Sequence, residues 1–88
     1  MIVRALVDAR LAACGSIIPS VTSIYRWQGS VAQESETLAV VHTRANLFAR
    51  LEAMVTELHP YDVPLLVSLP ATTTHPYGAW LNESIVAE

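Results

Sequence analysis

With 88 residues, of which 52% are apolar and 15% are charged, the chain has room for one domain, predicted to span residues 1–88. Its net charge of −3 and five scattered arginines, without any lysine, argue against a nucleic-acid partner. No apolar run is long enough to cross a membrane, and charges interrupt the N-terminal apolar stretch where a signal peptide would have its core. The expected compartment is therefore the cytosol.

The first predicted element is a helix from Met1 to Cys14. Its apolar residues recur at spacings of one, three and four, which is the pattern of a helix with one buried face. Gly15 is the expected C-terminal stop, because glycine readily takes the left-handed conformation that ends helices. The apolar face comprises Ile2, Val3, Leu6, Val7, Leu11 and Cys14.

A β-hairpin is predicted next. Residues 16–27 are rich in side chains that favour strands, and Pro19 marks an edge or a bulge near the start of this strand. A turn is predicted at residues 28–30, and the returning strand at residues 31–43, where side chains alternate between two faces.

The predicted hairpin is longer than the helices that should cover it. Each arm of about 12 residues would reach roughly 40 Å, whereas the helices reach only about 20 Å. The overhang carries Ile24, Tyr25 and Trp27, and the chain as a whole is more apolar than a small monomer requires. We therefore expect neighbouring copies of the chain to cover the hairpin and to pair with its edges.

Three more elements follow the hairpin. Thr43 is the predicted N-cap of a second helix, which Pro60 ends. Residues 63–69 form an apolar run typical of a short buried strand, and Pro76 suits the first turn of a last helix. The apolar faces of these two helices comprise Leu47, Phe48, Leu51, Met54, Val55 and Leu58 in the second helix, and Tyr77, Trp80, Leu81, Ser84 and Ile85 in the last.

The order helix, strand, strand, helix, strand, helix predicts an α+β fold. It matches a ferredoxin-like βαββαβ sandwich that lacks its first strand and carries an extra C-terminal helix. The first strand is central in that topology, so its absence would leave unpaired backbone groups in the sheet. We expect that this strand lies upstream of Met1 or that another segment fills its place.

Three segments of the sequence resemble the CutA divalent-cation tolerance family. They are RLAACGSIIPSVTSIYRWQGSV (Arg10–Val31), HPYDVPLLVSLP (His59–Pro70) and YGAWLNES (Tyr77–Ser84), and they follow one another with family spacing. The resemblance extends from Met1 to Glu88. It implies a ferredoxin-like fold, a PII-like homotrimer with β-pairing between subunits, and a role in tolerance to copper and other divalent metal ions.

The sequence departs from the family pattern at several positions. The family's first strand, and a following loop that supplies a possible metal-binding cysteine in some members, have no counterpart here. Gln28 and Leu65 stand where the family has glutamates, and His42 stands where it commonly has a lysine, while Asp62 keeps a carboxylate. With fewer carboxylates and no first cysteine, the resemblance implies a weaker site for hard metal ions.

Cys14, His59 and Asp62 are the candidate ligands of copper or another divalent metal ion. Thiolates bind soft ions such as Cu(I), and imidazole suits copper and zinc. The alternatives are a small buried hydrophobe at Cys14 and a histidine at His59 that interacts with the helix dipole. His42 and His75 are weaker candidates, because exposed histidines are common.

Four aromatic residues occupy positions that gather near inter-subunit clefts in the family: Trp27, Tyr61, Tyr77 and Trp80. Such residues line ligand pockets or anchor interfaces. The predicted function is thus a metal-binding tolerance trimer, and the alternative is a PII-like regulatory or scaffolding trimer that binds a small ligand or a partner protein in those clefts. We expect no enzymatic activity, because a cysteine on a buried helix face would be inert and no Gly-rich phosphate loop is present.

Overall fold

The computed structural model describes residues 2–59 and 65–86. Within these residues it has an α+β architecture in which one antiparallel two-stranded sheet packs with three helices. None of the helices in these two ranges is long and apolar enough to cross a bilayer. In chain order the elements are α1 (Ile2–Asp8), β1 (Cys14–Trp27), β2 (Ser30–His42), a 3₁₀ turn (Ala45–Leu47), α2 (Phe48–Leu58) and α3 (His75–Ser84).

The predicted β-hairpin is confirmed, and its two-residue turn explains its tight tip. Gln28 has a φ of 50° and Gly29 a φ of 83°. Two successive residues with positive φ form the type I′ turn, whose twist matches that of the flanking strands. The turn therefore fixes Trp27 opposite Ser30 at the tip of the hairpin.

A β-bulge in β1 shifts the register of the hairpin by one residue. It contains Pro19, which has no backbone N–H, and Ser20, whose φ is 59°. Of the two alternatives predicted at this proline, an edge or a bulge, the bulge is the one that forms. Without it, the register set by the turn would place Thr43 opposite Cys14, whereas the observed partner of Cys14 is His42.

The first helix is shorter than its apolar pattern predicted. It ends at Asp8, because Arg10 takes a left-handed conformation with a φ of 60°. The N–H groups of Arg10 and Leu11 donate back to helix carbonyls at 3.0 Å, which is the Schellman arrangement of a helix end. The prediction that Cys14 lies on this helix was wrong, since Cys14 opens β1.

Gly15 is not a helix stop but a point of close approach. A Cβ atom added at Gly15 would lie 2.6 Å from Cγ1 of Val3, so Val3 or the backbone of β1 would have to move to accommodate it. Glycine therefore lets β1 pass directly against α1, so that the base of the hairpin sits on the first helix.

Two small clusters of buried side chains form the core, and residues 11–13 connect them. The first lies between α1 and α2, and the second joins the base of the hairpin to α3. Their buried members are Leu6, Leu11, Ala12 and Leu51 in the first cluster, and Ala13, Leu47, Leu81 and Ile85 in the second.

Thr43 does not cap the second helix as predicted. Its Oγ1 donates to the carbonyl of Leu11 at 2.6 Å, and the 3₁₀ turn that precedes α2 has no side-chain cap either. The hydroxyl is used to tie the end of β2 to the chain that leads into β1. The predicted last helix is confirmed as α3, with Pro76 in its first turn.

The strand predicted at residues 63–69 is not formed in its described part, which begins at Leu65. Leu66 packs against the first core cluster, but Leu65 and Leu69 are 85% and 83% exposed. A strand requires a hydrogen-bonding neighbour, and no strand in the described ranges pairs with this segment. Residues 65–73 instead line a cleft of about 2500 Å³, together with residues 34–45 and with residues of β1 and the three helices.

We predict that Leu47 contributes more to stability than an exposed leucine of α2. Leu47 is completely buried, so Leu47→Ala should lower the free energy of unfolding by about 2–5 kcal/mol, through lost burial and a residual cavity. Leu58→Ala is the control, because Leu58 is 48% exposed, and it should cost less than about 1 kcal/mol. Urea denaturation followed by circular dichroism at one protein concentration measures both. Equal losses would contradict the assignment of the core.

Candidate functional site

The register of the hairpin brings Cys14 and His42 together at its base. Cys14 is the first residue of β1 and His42 the last residue of β2, and the two are paired. The N–H of Ala13 donates to the carbonyl of His42 at 2.9 Å, which extends the ladder past the pair. Residues directly opposite on neighbouring strands have Cβ atoms only about 5 Å apart, so the two side chains are held side by side.

Tyr77, in the first turns of α3, completes a three-residue cluster with this pair. The Sγ atom of Cys14 lies 3.3 Å from Nδ1 of His42 and 3.4 Å from the hydroxyl of Tyr77. The hydroxyl of Tyr77 is 2.5 Å from the same Nδ1, and the two rings meet edge to face with centroids 5.8 Å apart. We call this group the Cys14–His42–Tyr77 cluster.

The second core cluster positions Tyr77. Leu81 lies one helical turn further along α3 than Tyr77, and Ile85 is the residue that ends the helix; both are buried with Ala13 and Leu47. Because side chains four residues apart share a helix face, the packing of Leu81 turns Tyr77 toward the hairpin. On the outer side, the ring of Trp80 packs on Tyr77 with centroids 5.4 Å apart.

The cluster favours a neutral phenol at Tyr77. The pKa of Tyr77 is raised above its ordinary value, first by its hydrogen bond with Cys14, then by partial desolvation, and last by repulsion from the Cys14 thiolate. When His42 carries its proton on Nε2, its Nδ1 accepts from the Tyr77 hydroxyl, and the phenolic oxygen accepts from the Cys14 thiol. The hydroxyl proton of Tyr77 and the thiol proton of Cys14 therefore link the three side chains in a small polar network.

The geometry of the cysteine–histidine pair suits a soft or borderline metal ion. Sulfur and nitrogen bound to one tetrahedral ion, at about 2.3 Å and about 2.0 Å, lie about 3.5 Å apart. The Sγ to Nδ1 distance of 3.3 Å is close to that span. Within residues 2–59 and 65–86, no group of three or more His, Cys, Asp or Glu side chains is gathered for a metal ion. The pair thus offers two strong ligands, with the Tyr77 hydroxyl beside them.

The predicted ligands occupy different parts of the fold. Cys14 belongs to the cluster, whereas His59 is the C-cap residue of α2, and its N–H donates to the carbonyl of Val55 at 2.8 Å. α2 is about 16 Å long, so His59 lies at the end far from the base of the hairpin. Its place agrees with the alternative of a helix-terminal histidine. Asp62 lies outside the described residues, and the set of Cys14, His59 and Asp62 stays a prediction.

The aromatic set is divided between the two ends of the hairpin. Trp27 is at the tip, roughly 40 Å along β1 from Cys14, while Tyr77 and Trp80 pack together near the base. Tyr61 lies outside the described residues. Trp27 can meet the other two only if they come from different chains, so a shared inter-subunit cleft stays a prediction.

Comparison with known proteins assigns the chain to a family. The family described as CutA1 divalent ion tolerance protein matches residues 1–84. The chain belongs to this family. The assignment confirms the resemblance carried by the three quoted segments, and it agrees with a hairpin and helices arranged as in solved CutA1 structures.

Known CutA proteins from distant organisms share much of the sequence. The divalent-cation tolerance protein CutA of Thermus thermophilus is 49% identical over 84 residues, which are 94% of this chain and 82% of that protein. The mouse protein CutA is 40% identical over 93% of this chain, which spans only 47% of the mouse protein. The solved structure of the divalent cation tolerance protein from Thermus thermophilus superposes with a TM-score of 0.92 at 48% identity, covering 97% of this chain and 84% of that chain.

We predict that Cys14→Ala lowers the pKa of Tyr77 toward the ordinary tyrosine value of about 10. Hydrogen bonding to Cys14 is the main cause of the raised pKa, so its loss should make the phenolate form at lower pH. A raised folded-state pKa stabilises the fold below the ordinary pKa, and this contribution is lost as the pH rises through the folded-state value.

Ultraviolet difference absorbance of the phenolate measures this titration. The hydrogen bond with Glu34 also raises the pKa of Tyr25, so the signal of Tyr77 must be isolated by subtraction of the Tyr77→Phe variant. In the Tyr77→Phe background, Cys14→Ala should leave the tyrosine titration unchanged. An unchanged titration in the parent background would show that the thiol does not contact the phenol in solution.

Proposed function

We propose that the protein binds copper, in the reduced Cu(I) state that thiolates favour, or a related soft metal ion through Cys14 and His42 as its part in metal-ion tolerance. The observation that carries the proposal is the contact of a thiol sulfur and an imidazole nitrogen at 3.3 Å, which is near the separation of two ligands on one ion. The names of its relatives support a connection with metal ions. The proposed role is binding, not catalysis.

Each residue of the cluster has a separate part in this proposal. Cys14 binds as a thiolate after it loses its proton, and His42 binds as a neutral imidazole. The hydroxyl of Tyr77 donates a hydrogen bond to the sulfur or offers a weak oxygen ligand. Copper(I) tolerates a low coordination number, so two strong ligands suffice to retain it. The proposal places the protein in the cytosol, where thiols stay reduced.

We predict that Cys14→Ser and His42→Gln each weaken Cu(I) binding by at least about tenfold, because each removes one of two strong ligands. Anaerobic competition with a chromogenic Cu(I) chelator measures the affinity. His75→Gln is the matched histidine control, since His75 begins α3 and has no place in the cluster. It should bind like the parent chain.

A fourth variant, His59→Gln, separates the two ligand sets. If His59→Gln weakens binding as strongly as His42→Gln, then the set of Cys14, His59 and Asp62 predicted from the sequence contributes the ligands. If Cys14→Ser and His42→Gln both bind Cu(I) like the parent chain, the proposed metal site is wrong.

We also infer that the chain adopts a ferredoxin-like arrangement. Residues 34–45 and 65–73 lie among the residues that line one cleft, and the chain superposes on a solved CutA1 structure with a TM-score of 0.92. In the ferredoxin-like order the first strand lies between the third and the fourth. The cleft therefore has the position of that strand.

A homotrimer is the assembly that we propose. The hairpin exposes a row of apolar side chains that a small monomer would rarely leave in water, including Ile24, which is 66% exposed, and Trp27 at the tip. α1 and α2 are about 10 Å and about 16 Å long, too short to cover a hairpin of about 45 Å. Neighbouring copies that pack on the hairpin would bury this surface.

We predict that the parent chain has three times the mass of one chain in solution, and that Ile24→Arg reduces this mass. A charge at a buried interface has no partner there, so the variant should dissociate. Leu58→Arg is the control, because Leu58 is also apolar and exposed but lies on α2. Light scattering coupled to gel filtration reads the mass directly. A folded parent chain of single-chain mass would refute the trimer.

A further inference from the structure

Helix α3 is too short to be stable without contacts to the rest of the chain. It has ten residues, which is below the length of about 12–15 residues at which an isolated helix becomes stable in water. Its N-cap, Thr74, makes no side-chain capping bond, and neither its first turn nor its last turn carries a charge that complements the helix dipole. Contacts from elsewhere in the chain must therefore fix α3.

Two arginines outside α3 hold its C-terminal end. Arg10 donates from Nη2 to the carbonyl of Glu83 at 2.8 Å and from Nε to the carbonyl of Ser84 at 3.3 Å. Arg44 donates from Nη2 to the carbonyl of Val86 at 2.5 Å. The last carbonyls of a helix lack intrahelical donors and carry partial negative charge, so the Arg10 guanidinium satisfies and neutralises this end, while Arg44 holds the chain two residues beyond it.

The same two chain segments hold the other end of α3 through the cluster. Arg10 lies four residues before Cys14, and Arg44 lies two residues after His42. Both of these cluster residues contact Tyr77. The base of the hairpin thus contacts α3 at two places, at Tyr77 and at the C-terminal end about 10 Å further along the helix axis. A rigid helix held at two points gives Tyr77 little freedom to move.

The surroundings of Arg44 add an independent observation. Its Nε is buried and has no hydrogen-bond partner within the described part of the chain. A buried donor without a partner lowers the stability of the fold, so another contact of the same guanidinium group should offset this cost. The hydrogen bond from Nη2 of Arg44 to the carbonyl of Val86 orients this guanidinium. Arg44 therefore holds the chain just beyond α3.

We propose that Arg10 and Arg44 are positioning residues of the Cys14–His42–Tyr77 cluster. By fixing the C-terminal end of α3, they keep the hydroxyl of Tyr77 against the thiol and the imidazole. The position of the hydroxyl then sets how accessible Cys14 is and how firmly the pair holds a soft cation. The statement about the cation rests on the proposed function, whereas the position of Tyr77 does not.

The rate at which a disulfide reagent labels Cys14 in the metal-free protein tests the positioning. Cys14 is the single cysteine, so the signal has one source. Arg10→Ala and Arg44→Ala should each raise the rate by about tenfold, since each removes charge-assisted hydrogen bonds. Arg10→Lys, which keeps the charge and one donor, should give an intermediate rate. Arg50→Ala, an exposed arginine of α2, should label like the parent chain.

A double-mutant comparison separates positioning from a general loss of stability. Tyr77→Phe alone should also speed labelling, and in that background the arginine substitutions should add little, because they act through the missing hydroxyl. The rates should depend weakly on urea, as for a local opening rather than unfolding. The proposal is overturned if Cys14 in Arg10→Ala and Arg44→Ala is labelled at the rate of the parent chain. It is also overturned if the arginine substitutions speed labelling equally with and without the Tyr77 hydroxyl.

Cu(I) competition on the same variants distinguishes the two proposals. Faster labelling together with weaker Cu(I) binding in the arginine variants supports both. Faster labelling while Cys14→Ser and His42→Gln bind Cu(I) like the parent chain refutes the metal site and leaves the positioning intact. Metal binding that depends on Cys14 and His42, together with parental labelling in the arginine variants, overturns the positioning alone.

Discussion

The pairing of Cys14 with His42 is the constraint on which the rest of the structure depends. Around it, the ladder is extended by the bond between Ala13 and the carbonyl of His42, and Thr43 ties the end of β2 to the carbonyl of Leu11. The two buried clusters meet in the residues just before Cys14, so α1, α2 and α3 all converge on this end of the hairpin. A change in the pairing would therefore disturb the core and the candidate site together.

The two ends of the hairpin differ in how much of their surface is covered. The helices bury the chain around residues 11–13, whereas apolar side chains are exposed along both arms of the hairpin, from Ile17 and Val40 near the base to Trp27 at the tip. The length of the hairpin therefore leaves much of it beyond the reach of the helices. It also separates the aromatic residues of the two ends, which a single chain cannot bring into one cleft.

The elements that sequence patterns predicted well are those whose causes are local. The β-branched and aromatic residues of the hairpin, its Gly29 turn and its bulge at Pro19 all act within a few residues, and they appear as predicted. The end of α1 was missed because Arg10, not a glycine, takes the left-handed conformation. The strand at residues 63–69 was misjudged in its described part, because a strand also depends on a neighbour that lies elsewhere in the chain.

The candidate site, too, could be predicted from the sequence only where its causes are local. Cys14 was identifiable as the single thiol, and its pairing with His42 could have been found by counting back from the turn and allowing one residue for the bulge. Tyr77 could not, since its place depends on how α3 packs through Leu81 and Ile85. Family membership fixes the ancestry of the chain, but the cluster itself had to come from the structure.

The bulge also limits how the hairpin can change during evolution. A single residue inserted or deleted in one arm, anywhere between the tip and the base, would slide one strand past the other and turn its side chains to the opposite faces. The sulfur of Cys14 would then face a different neighbour. Because side chains alternate between faces with a period of two, both the pairing and the faces are kept only when two residues are gained or lost from each arm. The distance from tip to base can therefore change in such steps while the partner of the thiol stays the same.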